Sequence, residues 1–346
     1  MAYISFQPSD YFNTVLYTGN ASTNAVTGVG FQPDWLWVKS RSRTDNHRLM
    51  DSLRGTYSIM SNNTDFQRDV SGDGFTSLDS DGFTLNGSGG GGEFNASSAT
   101  YVSWNWKANG SGSANTDGTI SSTVSANTTA GFSIAQWTGT GSNATIGHGL
   151  GATPKCFIMK KTSGTSAWSV YHETVGNTKF MTLNATSDPT VSSTVFNNTS
   201  PTSSVFSVGV ADNGNASGAT YIGYFFAEKK GFSKFGSYTG NGSTDGTFVY
   251  LGFRPAWILV KRTDTSGWNW NIWDSKRLGY NGGSPTLFAD LSNSEDTEYN
   301  RMDQLSNGFK CRINNGQLNA SGGTYIYMAF AEHPLVSSND IPATAR

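Results

Sequence analysis

Hydrophobic residues along this chain gather in short runs rich in aromatic and β-branched side chains, several of them opened by Gly/Pro turns. The run Gly30-Phe31-Gln32-Pro33-Asp34-Trp35-Leu36-Trp37-Val38-Lys39 predicts a strand that is apolar on both faces, as in the middle of a sandwich. In Asp81-Gly82-Phe83-Thr84-Leu85, the apolar residues two apart put Phe83 and Leu85 on one strand face. No segment carries a sustained 3.6-residue period with helix caps. Strands joined by polar turns are the predicted elements throughout.

The runs also repeat, which decides the organisation. Tyr17-Thr18-Gly19-Asn20 returns as Trp137-Thr138-Gly139-Thr140 and Tyr238-Thr239-Gly240-Asn241. The Pro-to-Lys run from Pro33 to Lys39 returns from Pro154 to Lys160 and from Pro255 to Lys261. Thr100-Tyr101-Val102, Thr220-Tyr221-Ile222 and Thr324-Tyr325-Ile326 close the three copies. A central block aligns His47 with Trp168 and Trp270, and Asp51 with His172 and Asp274. The fold class predicted is all-β, three tandem repeats of about 100 residues each, every one a β-sandwich of jelly-roll or lectin-like type. Residues 1–110 hold an N-terminal extension and the first repeat, 111–230 a linker and the second, 231–346 the third with a C-terminal tail. By composition Asn109-Gly110-Ser111-Gly112-Ser113-Ala114-Asn115 is a flexible linker, and the short junction Glu228-Lys229-Lys230-Gly231-Phe232 predicts that the second and third repeats pack closely.

Composition narrows the function. Charged residues are 14% of the chain and there are 41 glycines, which argues against helical bundles, while 13% aromatic content argues against disorder. The net charge of −2, with no basic run, excludes nucleic acid as an expected partner. No secretory signal and no membrane-spanning apolar stretch is visible, so synthesis in a cytoplasm without membrane insertion is expected.

Catalytic chemistry finds little support. Cys156 and Cys311 occupy slots that are apolar in the other copies and read as small buried hydrophobes rather than a disulfide. His47, His148, His172 and His333 show no metal-ligand spacing, and Ser111 lies in the linker rather than on a nucleophile elbow. Glu228 and Glu332 match one another at the ends of two different repeats and so form no glycosidase pair, while Glu295 and Glu298 read as solvated. Asp73, Asp79 and Asp81 are weak calcium candidates that Asx-turns explain as well, and no cofactor is expected. Asn-x-Ser/Thr triplets such as Asn20-Ala21-Ser22 and Asn319-Ala320-Ser321 read as by-products of a polar surface. Trp104 and Trp106 alternate on one face, and most tryptophan slots are aromatic or aliphatic in every copy, hence core. Trp268 lacks a counterpart and is the tryptophan expected to be exposed. Candidate glycan- or partner-binding residues are Trp268, Trp270, Trp168 and His47.

The string Phe6-Gln7-Pro8-Ser9-Asp10-Tyr11-Phe12-Asn13-Thr14, the Tyr-Thr-Gly-Asn and Gly-Phe-x-Pro-x-Trp blocks, Trp104-Asn105-Trp106-Lys107-Ala108-Asn109-Gly110 and Thr324-Tyr325-Ile326-Tyr327-Met328-Ala329-Phe330-Ala331-Glu332 resemble a family of tailed-bacteriophage proteins from aquatic phages. That resemblance implies a virion-surface, β-rich protein of the kind labelled tail fibre or lectin-like, and carries over no catalytic residues. The expected function is a non-enzymatic fibre or spike component that binds host-surface glycan or receptor. The alternative is a capsid decoration protein packed on neighbouring virion subunits. Other virion proteins are the expected partners, with a homo-oligomer, trimer favoured. A glycan depolymerase would need acidic residues clustered in one groove, and the sequence shows none.

Overall fold

Each Pro-to-Lys run becomes a central strand: Trp35–Ser40, Cys156–Lys161 and Pro255–Arg262. The computed structural model describes residues 6–87, 92–277 and 283–332, with short strands at Leu335–Val336 and Pro342–Ala343. The fold is all-β apart from single helical turns such as Gly92–Asn95 and Asp212–Asn215. His333 lies outside the described residues.

Around each central strand stands an antiparallel inner sheet with one strand order. In the first it runs Phe12–Thr18, Thr100–Trp106, Trp35–Ser40, Arg48–Asp51. In the second it runs Phe132–Thr138, Thr220–Phe226, Cys156–Lys161, Ser169–His172. In the third it runs Ser233–Thr239, Thr324–Ala331, Pro255–Arg262, Asn271–Asp274. A smaller outer sheet accompanies each: Asn24–Thr27, Gly82–Leu85 and Phe75–Asp79, then Ala144–Gly147 with Val205–Val208, then Phe248–Tyr250, Gly308–Cys311 and Met302–Leu305.

Alternation within the central strands explains why they are apolar on both faces. In the first, Leu36 and Val38 pack with Phe83, Leu85 and Tyr101 between its own inner and outer sheets. Trp35 and Trp37 turn the other way, into a core shared by all three inner sheets with Trp104, Tyr224, Trp257 and Phe330.

Hydrogen bonds close the three sandwiches into a ring. Trp168 Nε1 donates to Met60 O at 2.8 Å, Trp270 Nε1 to Thr182 O at 2.9 Å, and His47 Nε2 bonds Phe288 O at 2.9 Å. The second sandwich thus reaches the first, the third reaches the second, and the first reaches the third. The stretch read as a flexible linker is not one. Gly110 N donates to buried Asp34 at 3.0 Å, and Ser113–Asn115 is a strand on the second inner sheet. At Gly112, φ is +73° and a Cβ would meet Val124 O at 2.7 Å.

The Asn-Ala-Ser triplets include a structural clamp rather than surface by-products alone. Asn95, Asn215 and Asn319 are each fully buried, and their Oδ1 atoms accept the amides of Asn20, Thr140 and Asn241 at 2.9–3.0 Å. Those amides follow Gly19, Gly139 and Gly240, where a Cβ would come within 2.2–2.4 Å of a carbonyl oxygen of the same clamp. The Tyr101, Tyr221 and Tyr325 hydroxyls complete it by accepting the amides of Ala96, Ala216 and Ala320.

Candidate functional site

The structure separates the residues proposed from sequence. Trp168, Trp270 and His47 are 0%, 2% and 0% exposed, and their ring nitrogens make the inter-sandwich bonds given above. They are therefore corrected from binding residues to core residues. Trp268 is half-buried, with the Arg262 guanidinium 5.7 Å above its ring and Gly316 beneath. The three acidic calcium candidates face different partners: Asp73 pairs with Arg68, Asp79 accepts Ser77 and Thr84 hydroxyls, and Asp81 accepts the Gly28 and Gly30 amides. Among the described residues no group of three or more His, Cys, Asp or Glu is placed to hold a metal.

The buried ionisable groups are occupied as well. His47, His148 and His172 each use both ring nitrogens, and burial pushes His172 down to about 4. Lys39, Lys160 and Lys261, one per sandwich, are enclosed and donate to backbone carbonyls such as Ser40, Thr64 and Trp268 O. Burial lowers all three to about 8. Asp51 and Asp274 accept Arg54 and Arg277 within their own sandwiches, and Tyr224 and Trp104 from neighbouring ones. Glu295, read as solvated, in fact bridges Arg41 and Arg277 at 2.9 Å to each. Glu332 pairs with Arg254, and Glu228 accepts the Phe235 amide. Both cysteines are free and buried, and burial pushes the Cys311 thiol up to about 12.

Tyr57, Phe66 and Tyr299 are exposed singly, whereas the outward face of the third outer sheet exposes two aromatic side chains on one strand. On the edge strand Phe248–Tyr250, Val249 points inward, while Phe248 and Tyr250 are 44% and 59% exposed. Pairing places Phe248 opposite Lys310 and Tyr250 opposite Gly308, where a Cβ would strike Val249 O and come 3.2 Å from the Phe248 ring. On the next strand Asp303 stands opposite Lys310 and Leu305 opposite Gly308. Lys234 Nζ lies 5.3 Å from the Tyr250 ring centroid and donates to Tyr250 O at 3.0 Å. Lys310 is paired with Asp245, and Arg312 with Asp303 at 3.3 Å.

The other two sandwiches serve as internal controls. Matching strand registers put Ala25 and Thr27 in the first, and Thr145 and Gly147 in the second, where the third has Phe248 and Tyr250. Lys310 stands where they have Thr84 and Ser207. Small neutral residues satisfy the fold at these positions, so the aromatic and cationic side chains of the third copy are not demanded by it. The sequence reading missed this site. Its signal was visible in the outward positions of Phe248-Val249-Tyr250, once set beside Ala25-Val26-Thr27 and Thr145-Ile146-Gly147.

The arrangement is an all-β scaffold of three sandwiches whose third outer sheet carries two exposed aromatic side chains on one strand. The chain belongs to the family described as a domain of unknown function, DUF7483, whose family model matches residues 7–334 and so runs through all three sandwiches. No curated protein and no solved structure matches it.

Proposed function

We propose that this chain is a non-enzymatic surface protein of a tailed-bacteriophage particle, a fibre or spike component that binds host-surface glycan through the outer sheet of its third sandwich. The observation that carries the reading is that Phe248 and Tyr250 are exposed on the third sandwich alone, where its counterparts hold Ala25, Thr27, Thr145 and Gly147. Aromatic rings two apart on a strand lie about 7 Å apart and offer stacking surface to the C–H faces of successive sugar rings. The virion setting rests on the sequence resemblance. A non-catalytic role is supported by the occupation of the buried carboxylates, lysines and imidazoles in structural bonds. Glycan-array binding of the full chain, compared with Phe248→Ala/Tyr250→Ala, tests the reading. Unchanged binding by the double variant refutes it.

The closed ring favours a second reading, a capsid decoration protein. One chain presents three similar sandwiches in cyclic order, a shape suited to a threefold or quasi-threefold position on a capsid, with no second copy needed to close the ring. Copy number per purified particle separates the two. Hundreds per particle mean the head, whereas a few to tens mean the tail.

A further inference from the structure

We propose that the exposed face of the third outer sheet selects acidic glycans, with Lys310 and Arg312 receiving the sugar carboxylate in place of Asp245. The inference rests on the glycan-binding reading above and specifies its ligand. Lys234, Lys310 and Arg312 surround Phe248 and Tyr250, so the rings sit within a cationic border. At the corresponding positions the first sandwich has Asn13, Thr84 and Asn86, and the second has Ser133, Ser207 and Gly209. None of these is charged, so all three cations are particular to the third copy.

Asp245 is the counter-ion that marks where a ligand carboxylate would sit. It pairs with Lys310, lies 3.9 Å from Arg312, and its side chain is 80% exposed. Nothing in the fold requires it there. The turn from Gly240 to Phe248 is two residues longer than the turns from Gly19 to Ala25 and from Gly139 to Thr145, and Asp245 lies in that longer turn. Asp303 is 19% exposed and remains with Arg312, which keeps one positive charge neutralised. An exposed carboxylate held by one loop gains little from its ion pair and is readily exchanged for another carboxylate whose sugar ring also stacks on Tyr250.

Single-stranded nucleic acid is the other polyanion that aromatic–cationic faces take. Here the charges favour sugar: two carboxylates stand among three cations, and the whole chain carries −2, too little to follow a phosphate backbone.

The test is biolayer interferometry of the full chain against polygalacturonate, a neutral dextran and oligo-deoxythymidylate, at low and high NaCl. Polygalacturonate is expected to bind at least about tenfold tighter than dextran at low salt, with the margin shrinking as salt rises. Lys310→Gln is expected to weaken polygalacturonate about two- to fivefold, and Asp245→Asn to strengthen it by a similar factor, with dextran unmoved by either. Equal binding of both polysaccharides, or no response to either substitution, overturns the acidic-sugar inference and leaves glycan binding standing. Oligo-deoxythymidylate binding tighter than polygalacturonate overturns both, as does failure to bind either polysaccharide.

Discussion

Replacing Asp51 by asparagine tests the ring where its electrostatics are most enclosed. Among the described residues Asp51 is the carboxylate paired with Arg54, and the two side chains are 0% and 1% exposed. Its Oδ2 accepts Arg54 Nε at 2.7 Å and the Tyr224 hydroxyl of the second sandwich at 2.8 Å. Asp51→Asn leaves a buried guanidinium without its counter-charge, which costs about 3–5 kcal/mol. Asp274→Asn disturbs the matching pair with Arg277, but Arg277 keeps Glu295 at 2.9 Å, so the loss there is smaller, about 1–3 kcal/mol. The third seam carries its own solution: His172, Val175 and Met328 hold the positions of Asp51, Arg54 and Tyr224. Transplanting it as Asp51→His/Arg54→Val/Tyr224→Met removes the stranded charge and is expected to recover most of the loss. Guanidinium unfolding followed by tryptophan fluorescence reads all three variants. The reasoning fails if Asp51→Asn lies within about 1 kcal/mol of wild type, if Asp274→Asn costs more, or if the triple variant is no more stable than Asp51→Asn.

Asp290 is expected to be improved by substitution. Its Oδ1 accepts the Trp270 amide at 3.0 Å, a bond made at the equivalent places by Asn62 to His47 and Asn184 to Trp168, while its buried Oδ2 has no hydrogen-bond partner among the described residues. Burial raises its carboxyl to about 7, so the folded state bears the cost of the charge above pH 7 and escapes it near pH 4. Asp290→Asn should therefore stabilise by about 1–3 kcal/mol at pH 8, with the gain fading toward pH 4 in parallel denaturation curves. Lys39, Lys160 and Lys261 act in the alkaline range. Folded, they release protons near 8; unfolded, near 10.5; between these values the unfolded chain binds more protons, so stability rises with pH. The rise is cleanest from pH 8 to about 9, above which the buried Cys156 and Cys311 thiols oppose it, and Lys160→Met should lower its slope by about a third.

The all-β class and the recurring blocks were legible because each strand must repeat the same alternation and each clamp the same residues. Gly19, Gly139 and Gly240 recur because a Cβ would strike the clamp carbonyl, and that requirement writes itself into the sequence. The neighbours of a strand's second face leave no such mark. Nothing in Trp168-Ser169-Val170 or Trp270-Asn271-Ile272 tells whether the tryptophan meets solvent, sugar or another sheet, and the structure gives the third answer. The linker misled for a related reason. Glycine and serine at 110–113 signal flexibility by composition, yet Gly112 is held at positive φ against Val124 and Gly110 is bonded to Asp34.

Burial on both faces also determines where the three copies were free to diverge. A substitution on an inner sheet disturbs either the shared core or a sandwich's own core, and the clamp residues are fixed by four or more backbone and side-chain partners. The outward faces of the first and third outer sheets carry neither constraint, whereas in the second Gly147 is buried beneath Asn115. Exchanging Ala25 for phenylalanine or Thr27 for tyrosine on the first changes no buried contact, because Val26 and Phe83 between them supply the packing. Differences between the first and third copies on this face therefore report selection for something other than the fold. In the third copy they assemble aromatic and cationic side chains on neighbouring strands, and that concentration makes it the face on which a binding function is to be sought first.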